Sequence, residues 1–200
     1  MQATALAGGF SNPAIQSSHA FRSVLEAMAR PGTVQDIEGG APPEPLSAAA
    51  GTVLLTLCDN DTPVYLAGKV DTDDVRTWLA FHTGAPLTGP SHAMFAVGEW
   101  DALMPLGSYT VGTPEYPDRS TTLVVECAEL EAAGATLRGP GIKLEAALSL
   151  PETRAFQKNH ALFPLGLDFI FTCGSRLAAL PRSTEVSRSS SEAIAHKGAF

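Results

Sequence analysis

The chain has 200 residues, of which thirteen are basic and twenty-one acidic, and its formal net charge is −8. An acidic surface repels phosphate backbones and the lysines and arginines are scattered, so we expect no nucleic-acid partner. No apolar run approaches the roughly 20 residues that cross a bilayer, so we expect no membrane span.

The cysteines indicate a cellular compartment. Cys58, Cys127 and Cys173 are odd in number, and each lies in or beside an apolar run. This usage is typical of a reducing compartment, where a buried thiol acts as a small apolar side chain. The N-terminus shows no basic region followed by an apolar stretch, which is the pattern of a secretory signal. We therefore expect a cytoplasmic protein.

Residues 12–30 show the clearest helix pattern. Asn12 suits the cap and Pro13 the first turn, and Pro31 with Gly32 ends the helix. The apolar stripe follows helical spacing at Phe21, Val24, Leu25 and Met28.

Residues 52–58 are almost uninterrupted apolar, which we interpret as a strand covered on both faces, as in the centre of α/β proteins. This strand stops at the turn signal Asp59-Asn60-Asp61. A helix is predicted to begin near residues 71–74, because acidic side chains suit the positive end of the helix dipole. It closes at the segment 81–86.

The rest of the chain continues this alternation. A helix is predicted at 151–162, a long loop at 107–120, and a Ser-rich tail at 183–200. Further strands are predicted at 63–67, 93–97, 121–127, 167–172 and, as a last edge strand, 176–180. The alternation predicts an α/β fold with a mixed sheet in a single domain that covers residues 1–182.

The loop at 112–120 is the best active-site candidate by composition. It places Glu115, Asp118 and Arg119 beside a phenol and between prolines that stiffen it. Arg119 is suited to clamp a phosphate or phosphonate through two parallel hydrogen bonds. The alternative is a rigid surface loop in which the two carboxylates and the arginine only pair with one another.

Asp59 and His82 are two further candidates, because connections between strands and helices often carry sites in open α/β sheets. The more common role of a histidine at the end of a helix is to cap carbonyl groups. Cys58 is able to act as a nucleophile with His82 as its base, although buried structural cysteines are far commoner.

No cofactor or metal site is predicted. The five histidines and three cysteines show no ligand pair at zinc spacing. The sequence contains neither a P-loop nor a dinucleotide-binding fingerprint.

Several sequence blocks, taken together, resemble the PhnH family of the carbon–phosphorus lyase system for phosphonate breakdown. The resemblance spans nearly the whole domain. The blocks that carry it are residues 21–32, 54–66, 81–86, 139–142, 163–174 and 180–184.

The resemblance implies a three-layer sandwich similar to the large domain of pyridoxal-phosphate-dependent transferases, but without the cofactor. It implies membership of a core complex with PhnG, PhnI and PhnJ. With PhnG, PhnI and PhnL, family members support displacement of adenine from ATP by a phosphonate such as methylphosphonate. The product is ribose 1-methylphosphonate 5-triphosphate. The resemblance identifies no catalytic residue, and we expect no activity for the isolated chain.

Two functional hypotheses therefore stand at this point. The first is a non-catalytic subunit of the phosphonate-processing complex. The second is a nucleotide- or phosphonate-binding enzyme subunit with a site near Asp59, His82 and the 112–120 loop.

The charge content also predicts an oligomer. Charged residues make up 17% of the chain, against roughly 25% in typical domains, so we expect part of the surface to be apolar and covered. Family members associate, as the resemblance implies, and two-fold pairing is the commonest closed arrangement. We expect the isolated chain to be a homodimer.

Overall fold

A computed structural model describes residues 6–188, and its centre is a six-stranded sheet. The strands of this sheet are β1 (Gln35–Asp36), β2 (Val64–Leu66), β3 (Phe95–Glu99), β4 (Thr122–Glu126), β7 (Asp168–Cys173) and β8 (Arg176–Leu180). Their order is β1-β8-β7-β4-β3-β2. Strands β2, β3, β4 and β7 are parallel, whereas β8 is antiparallel to both of its neighbours. The predicted α/β class with a mixed sheet is confirmed.

Helices cover one face of this sheet. The α-helices of the described residues are α1 (Pro13–Ala29), α2 (Ala48–Leu57), α3 (Asp73–Thr83), α4 (Trp100–Leu103) and α5 (Arg154–His160). Helices α1, α2 and α3 share one buried apolar cluster with the sheet, including Val24, Leu54 and Trp78. The predictions of α1 and α3 are confirmed. No helix within residues 6–188 is both long and apolar enough to span a membrane.

A second, smaller sheet covers the opposite face. Its strands are β5 (Ala135–Arg138), β6 (Ala146–Leu148) and β9 (Glu185–Ser187), in the order β6-β5-β9. Leu137, Leu148 and Val186 pack there with Phe156 of α5 in a second buried cluster. Sequence analysis did not predict this sheet, and β9 lies within the segment that we assigned to the tail.

The prediction of a strand at 52–58 is wrong, because these residues belong to α2. The hydroxyl of Ser47 caps this helix by accepting the Ala50 N–H at 3.1 Å. Every residue from Ala49 to Leu54 is buried. An uninterrupted apolar run fits a helix buried on all sides as well as a buried strand, and periodicity does not separate them. The serine cap and the Ala-rich start were the signals for the helix.

The prediction that 176–180 forms an edge strand is also wrong. Strand β8 lies between β7 and β1, and the two residues Gln35 and Asp36 form the edge. Two residues in a Pro- and Gly-rich segment leave no alternating pattern, so the sequence indicates only a strand edge plus loop somewhere within 33–50.

Candidate functional site

The candidate residues from the sequence lie at the amino ends of the parallel strands. The turn that contains Asp59 leads into β2, and the 112–120 loop leads towards β4. Helix α3 places His82, in its last turn, at the amino end of the sheet. The segment after α3 contacts the first residue of β2 there, because the Val64 N–H donates to Pro86 O at 2.9 Å. Ligands of open α/β sheets usually bind at the opposite, carboxyl ends of the strands.

Asp59 and His82 each have local structural partners. The Asp59 carboxylate accepts hydrogen bonds from Thr62 Oγ1 at 2.7 Å and from the Asp61 N–H at 2.9 Å, which lower its pKa. The His82 ring has Nε2 3.4 Å from Ala7 O. Within residues 6–188 no hydrogen bond or ion pair joins Asp59 to His82. A joint catalytic role for these two residues remains a prediction.

Cys58 lies in an environment that suppresses its reactivity. Burial, and secondarily the charge of Asp59, raise the pKa of the Cys58 thiol to about 12. A thiol with this pKa is protonated at neutral pH, whereas the nucleophile is the thiolate. The structure therefore gives no support to a Cys58–His82 nucleophile and base.

The 112–120 loop is exposed and organised differently from either expectation. The Arg119 guanidinium lies 4.0 Å from the centre of the Tyr116 ring, in a cation–π contact. Among the residues that the structure describes, Glu115, Asp118 and Arg119 form no ion pairs with one another. Glu115 and Asp118 are both exposed to solvent. A catalytic role for the three side chains is not tested by this geometry.

Arg182 fixes this loop to the sheet. Its Nη1 donates to Pro117 O at 2.6 Å, and its Nη2 donates to Ser120 Oγ. The same guanidinium pairs with Asp168 at the start of β7, and the two side chains are only 13% and 18% exposed. Sequence analysis included Arg182 only in a family block, because nothing local in the sequence indicates a partner 65 residues away.

A cavity of about 500 Å³ lies between the segment 104–111 and α5. We call it the α5 cavity. Its apolar walls include Met104, Leu106, Val111, Leu162 and Leu167, and its charged side chains are Glu152, Arg154 and Lys158. Gly107 and Val111 belong to the long loop predicted at 107–120, so that loop borders the cavity. Glu115, Asp118 and Arg119 do not line it.

Sequence analysis missed the α5 cavity because its walls come from distant segments. The spacing of Arg154 and Lys158 was visible as two cations one helical turn apart on one face. No local pattern in the sequence indicates that Met104 and Val111 line the same cavity as these two cations.

Glu126 is the most deeply placed carboxylate at the carboxyl ends of the strands. Its Oε1 accepts the Ser47 N–H at 2.7 Å, and its Oε2 accepts Thr172 Oγ1 at 3.0 Å. Burial raises the pKa of Glu126, while these hydrogen bonds oppose that shift. Glu126 therefore joins β4 to the start of α2 and to β7. It was not a candidate from the sequence.

Two thiols lie beside Glu126. The Cys127 N–H donates to Thr172 O at 2.8 Å, which places Cys127, directly after β4, near Cys173 at the end of β7. Burial, followed by the nearby Cys173 and Glu126, raises the pKa of Cys127 to about 12. Within residues 6–188, no three His, Cys, Asp or Glu side chains are grouped closely enough to hold a metal ion.

These observations define an α/β protein with a mixed sheet and with a cavity that is lined by two cationic side chains. The family model of PhnH, described as a bacterial phosphonate metabolism protein, matches residues 8–187. The chain therefore belongs to the PhnH family of bacterial phosphonate metabolism proteins, and the resemblance in the sequence blocks is confirmed.

Two curated relatives agree with this family. The chain is 40% identical over 196 residues to the alpha-D-ribose 1-methylphosphonate 5-triphosphate synthase subunit PhnH of Rhizobium meliloti (strain 1021). That alignment covers 94% of this chain and 98% of the relative. A putative C-P lyase subunit protein, HtxG of Stutzerimonas stutzeri, is 28% identical over 177 residues, with 84% of each chain covered.

Proposed function

We propose that this chain is a subunit of the assembly that synthesises ribose 1-methylphosphonate 5-triphosphate during phosphonate breakdown. In this reaction a phosphonate displaces adenine from ATP. The observation that carries the proposal is the 40% identity to a named synthase subunit across 98% of that relative's length. The match of the family model to residues 8–187 supports the same role.

The chain supports this reaction without catalysing it alone. The Cys58 thiol is protonated, Asp59 is held in its own turn, and Arg119 is stacked on Tyr116. These local roles favour a non-catalytic subunit over the enzyme subunit with a site near Asp59, His82 and the 112–120 loop. One observation favours a ligand-binding role within the subunit, namely the α5 cavity and its two cations.

The partners in this proposal are PhnG, PhnI and PhnJ, and the compartment is the cytoplasm. Exposed apolar side chains support a covered surface: Phe21 and Leu25, one turn apart on α1, are 51% and 56% exposed. The three free cysteines support a reducing compartment.

The isolated chain is proposed to be a homodimer. Light scattering after size exclusion at low micromolar concentration tests this, with an expected mass near twice the 20.9 kDa of the chain. A mass near 20.9 kDa would contradict the dimer and leave the subunit role open.

The fold proposal is that the three layers correspond to the large domain of pyridoxal-phosphate-dependent transferases, with the cofactor absent. The helical layer, the mixed sheet and the second sheet support it. The lysines in the described part of the chain, Lys69, Lys143 and Lys158, are all exposed, which also favours a fold that does not bind the cofactor.

Deletion of the gene for this chain, in the bacterium that encodes it, tests the subunit role. We expect the deletion strain to lose growth on methylphosphonate as the phosphorus source, to grow normally on phosphate, and to recover with the wild-type chain. Copurification of the restored chain with PhnG, PhnI and PhnJ is expected. Undiminished growth of the deletion strain on methylphosphonate would overturn the proposal.

A further inference from the structure

We propose that the α5 cavity is a binding site for an organic polyphosphate, with the phosphates at Arg154 and Lys158 and the organic part against the apolar wall. The choice of a triphosphate among such ligands rests on the proposed function, since the product named for the relative carries a 5-triphosphate. The requirement for an anion rests on the cavity alone.

The charges of the cavity favour an anionic ligand. Arg154 and Lys158 lie one turn apart on α5, so their Cβ atoms are roughly 5–6 Å apart. Neither has a hydrogen-bonded or ion-paired partner among residues 6–188, in a chain whose net charge is −8. Two neighbouring cations without a counter-ion repel each other, and a bound phosphate group relieves that repulsion.

The chemistry of the two cations suits phosphate. The guanidinium of Arg154 is able to donate two parallel hydrogen bonds to a phosphate group, and the ammonium of Lys158 adds a point charge. The third charged group of the cavity is Glu152, which precedes α5 and accepts a hydrogen bond from Ala155 N in the first turn of α5 at 3.4 Å. Because the lining contains two cationic side chains and only one carboxylate, the net charge of the cavity is positive.

The walls of the cavity favour a ligand with an organic part. Met104 and Leu162 are 40% and 48% exposed at the cavity, and Leu167 is buried at its floor. A volume of about 500 Å³ lies in the range of small-molecule sites, which are mostly apolar with a few placed polar groups. Gly107, which lines the cavity, has no atom within 4 Å of the position of a Cβ, so the space beside it is open.

Two residues that line the cavity are hydrogen-bonded to each other. Asn159 Nδ2 donates to Leu167 O at 2.9 Å, and its Oδ1 accepts the Leu167 N–H at 2.8 Å. These two bonds hold α5 against the start of β7, and they use one donor and one acceptor position of the Asn159 amide. The helix that carries both cations is therefore joined to the sheet by two hydrogen bonds, which favours a preformed site.

Calorimetric titration of the isolated wild-type chain tests the site, with ATP, inorganic tripolyphosphate and adenosine as the three probes. We expect ATP to bind more tightly than tripolyphosphate because of the apolar wall, and adenosine to bind weakly or not at all. Absence of heat with both ATP and tripolyphosphate would overturn the site. Adenosine binding as tight as that of ATP would overturn the role of the cations.

The variant Arg154→Ala/Lys158→Ala is expected to weaken ATP binding by at least about tenfold. The matched control is Arg22→Ala/Lys143→Ala, which removes the same two residue types from exposed positions outside the cavity. We expect the control to bind ATP like the wild type. Equal weakening by both variants would show a general effect of charge and overturn the site.

Copurification with PhnG, PhnI and PhnJ separates this inference from the proposed function. A chain that assembles normally but binds no ATP would overturn the site and leave the subunit role standing. A chain that binds ATP through Arg154 and Lys158 but never assembles would support the site and contradict the subunit role.

Discussion

Arg182 and Asp168 form an ion pair that is nearly closed to solvent and that holds the 112–120 loop against β7. The guanidinium and carboxylate side chains are 13% and 18% exposed. Because Arg182 also donates to Pro117 O and Ser120 Oγ, one side chain connects the turn between β8 and β9 with a loop more than sixty residues earlier.

The substitution Arg182→Ala is expected to destabilise the chain by roughly 3–5 kcal/mol, because it leaves the Asp168 carboxylate buried without its partner. The control Arg119→Ala is expected to stay within about 0.5 kcal/mol, since Arg119 lies on the exposed Tyr116 ring. Urea unfolding measures both. Equal stability of the two variants would show that the loop does not depend on Arg182.

The substitution Leu54→Ala is expected to cost roughly 2–5 kcal/mol, because Leu54 is fully buried on α2 between the helices and the sheet. Leu144 is 81% exposed, so the same change there should stay within about 0.5 kcal/mol. The comparison holds the chemistry constant and varies only burial. A free energy of unfolding that is equally lowered in both variants contradicts this account of the core.

The substitution Glu126→Gln tests a pH dependence. The pKa of Glu126 is raised in the folded state, so between the unfolded value and the folded value the native chain holds more protons than the unfolded chain. The contribution of Glu126 to stability therefore falls as pH rises through that window and is constant above it. Glutamine has no proton to lose, and it keeps an oxygen for the Ser47 N–H.

We therefore expect the stability difference between Glu126→Gln and the wild type to shift in favour of the variant from pH 4.5 to pH 7.5. Urea unfolding measures the free energy of unfolding of both proteins at each pH. Groups that titrate in the same way in both proteins do not contribute to the difference between them. The exposed Glu129→Gln is the control. A difference that stays constant with pH would show that Glu126 is not the group that titrates.

Incubation with pyridoxal phosphate, followed by desalting, is expected to leave no absorption band. A Schiff-base lysine is activated by desolvation in an apolar pocket, and Lys69, Lys143 and Lys158 are all exposed. Lys197 lies outside the described residues. A stoichiometric band that disappears when one lysine is substituted would contradict this expectation.

The fold was predictable where patterns are local. The stripe of α1, with Phe21 and Val24, has a helical period, and the β-branched composition of β4 favours a strand. The buried helix α2 was not predictable, since the run Val53–Leu57 has no polar face that would reveal its period. Strands β6 and β9 were missed because three residues are too few for an alternating pattern, and their partners are distant.

The site was harder to predict than the fold, because contacts between distant residues create it. Asp59, His82 and Arg119 are polar residues in visible turns, and this drew attention to them. Arg182 and Glu126 look ordinary in the sequence, and their importance depends on Asp168 and Ser47. The α5 cavity likewise requires Met104 to lie opposite Arg154.

Adenine release from ATP and methylphosphonate tests the central claim that this chain supports the synthase without catalysing the reaction alone. The purified chain is compared with PhnG, PhnI and PhnL in the presence and absence of this chain. We predict adenine release by the complete set, and none by this chain alone. Multiple-turnover release by a contaminant-free preparation of this chain alone would contradict the account, as would a full rate when only this chain is omitted.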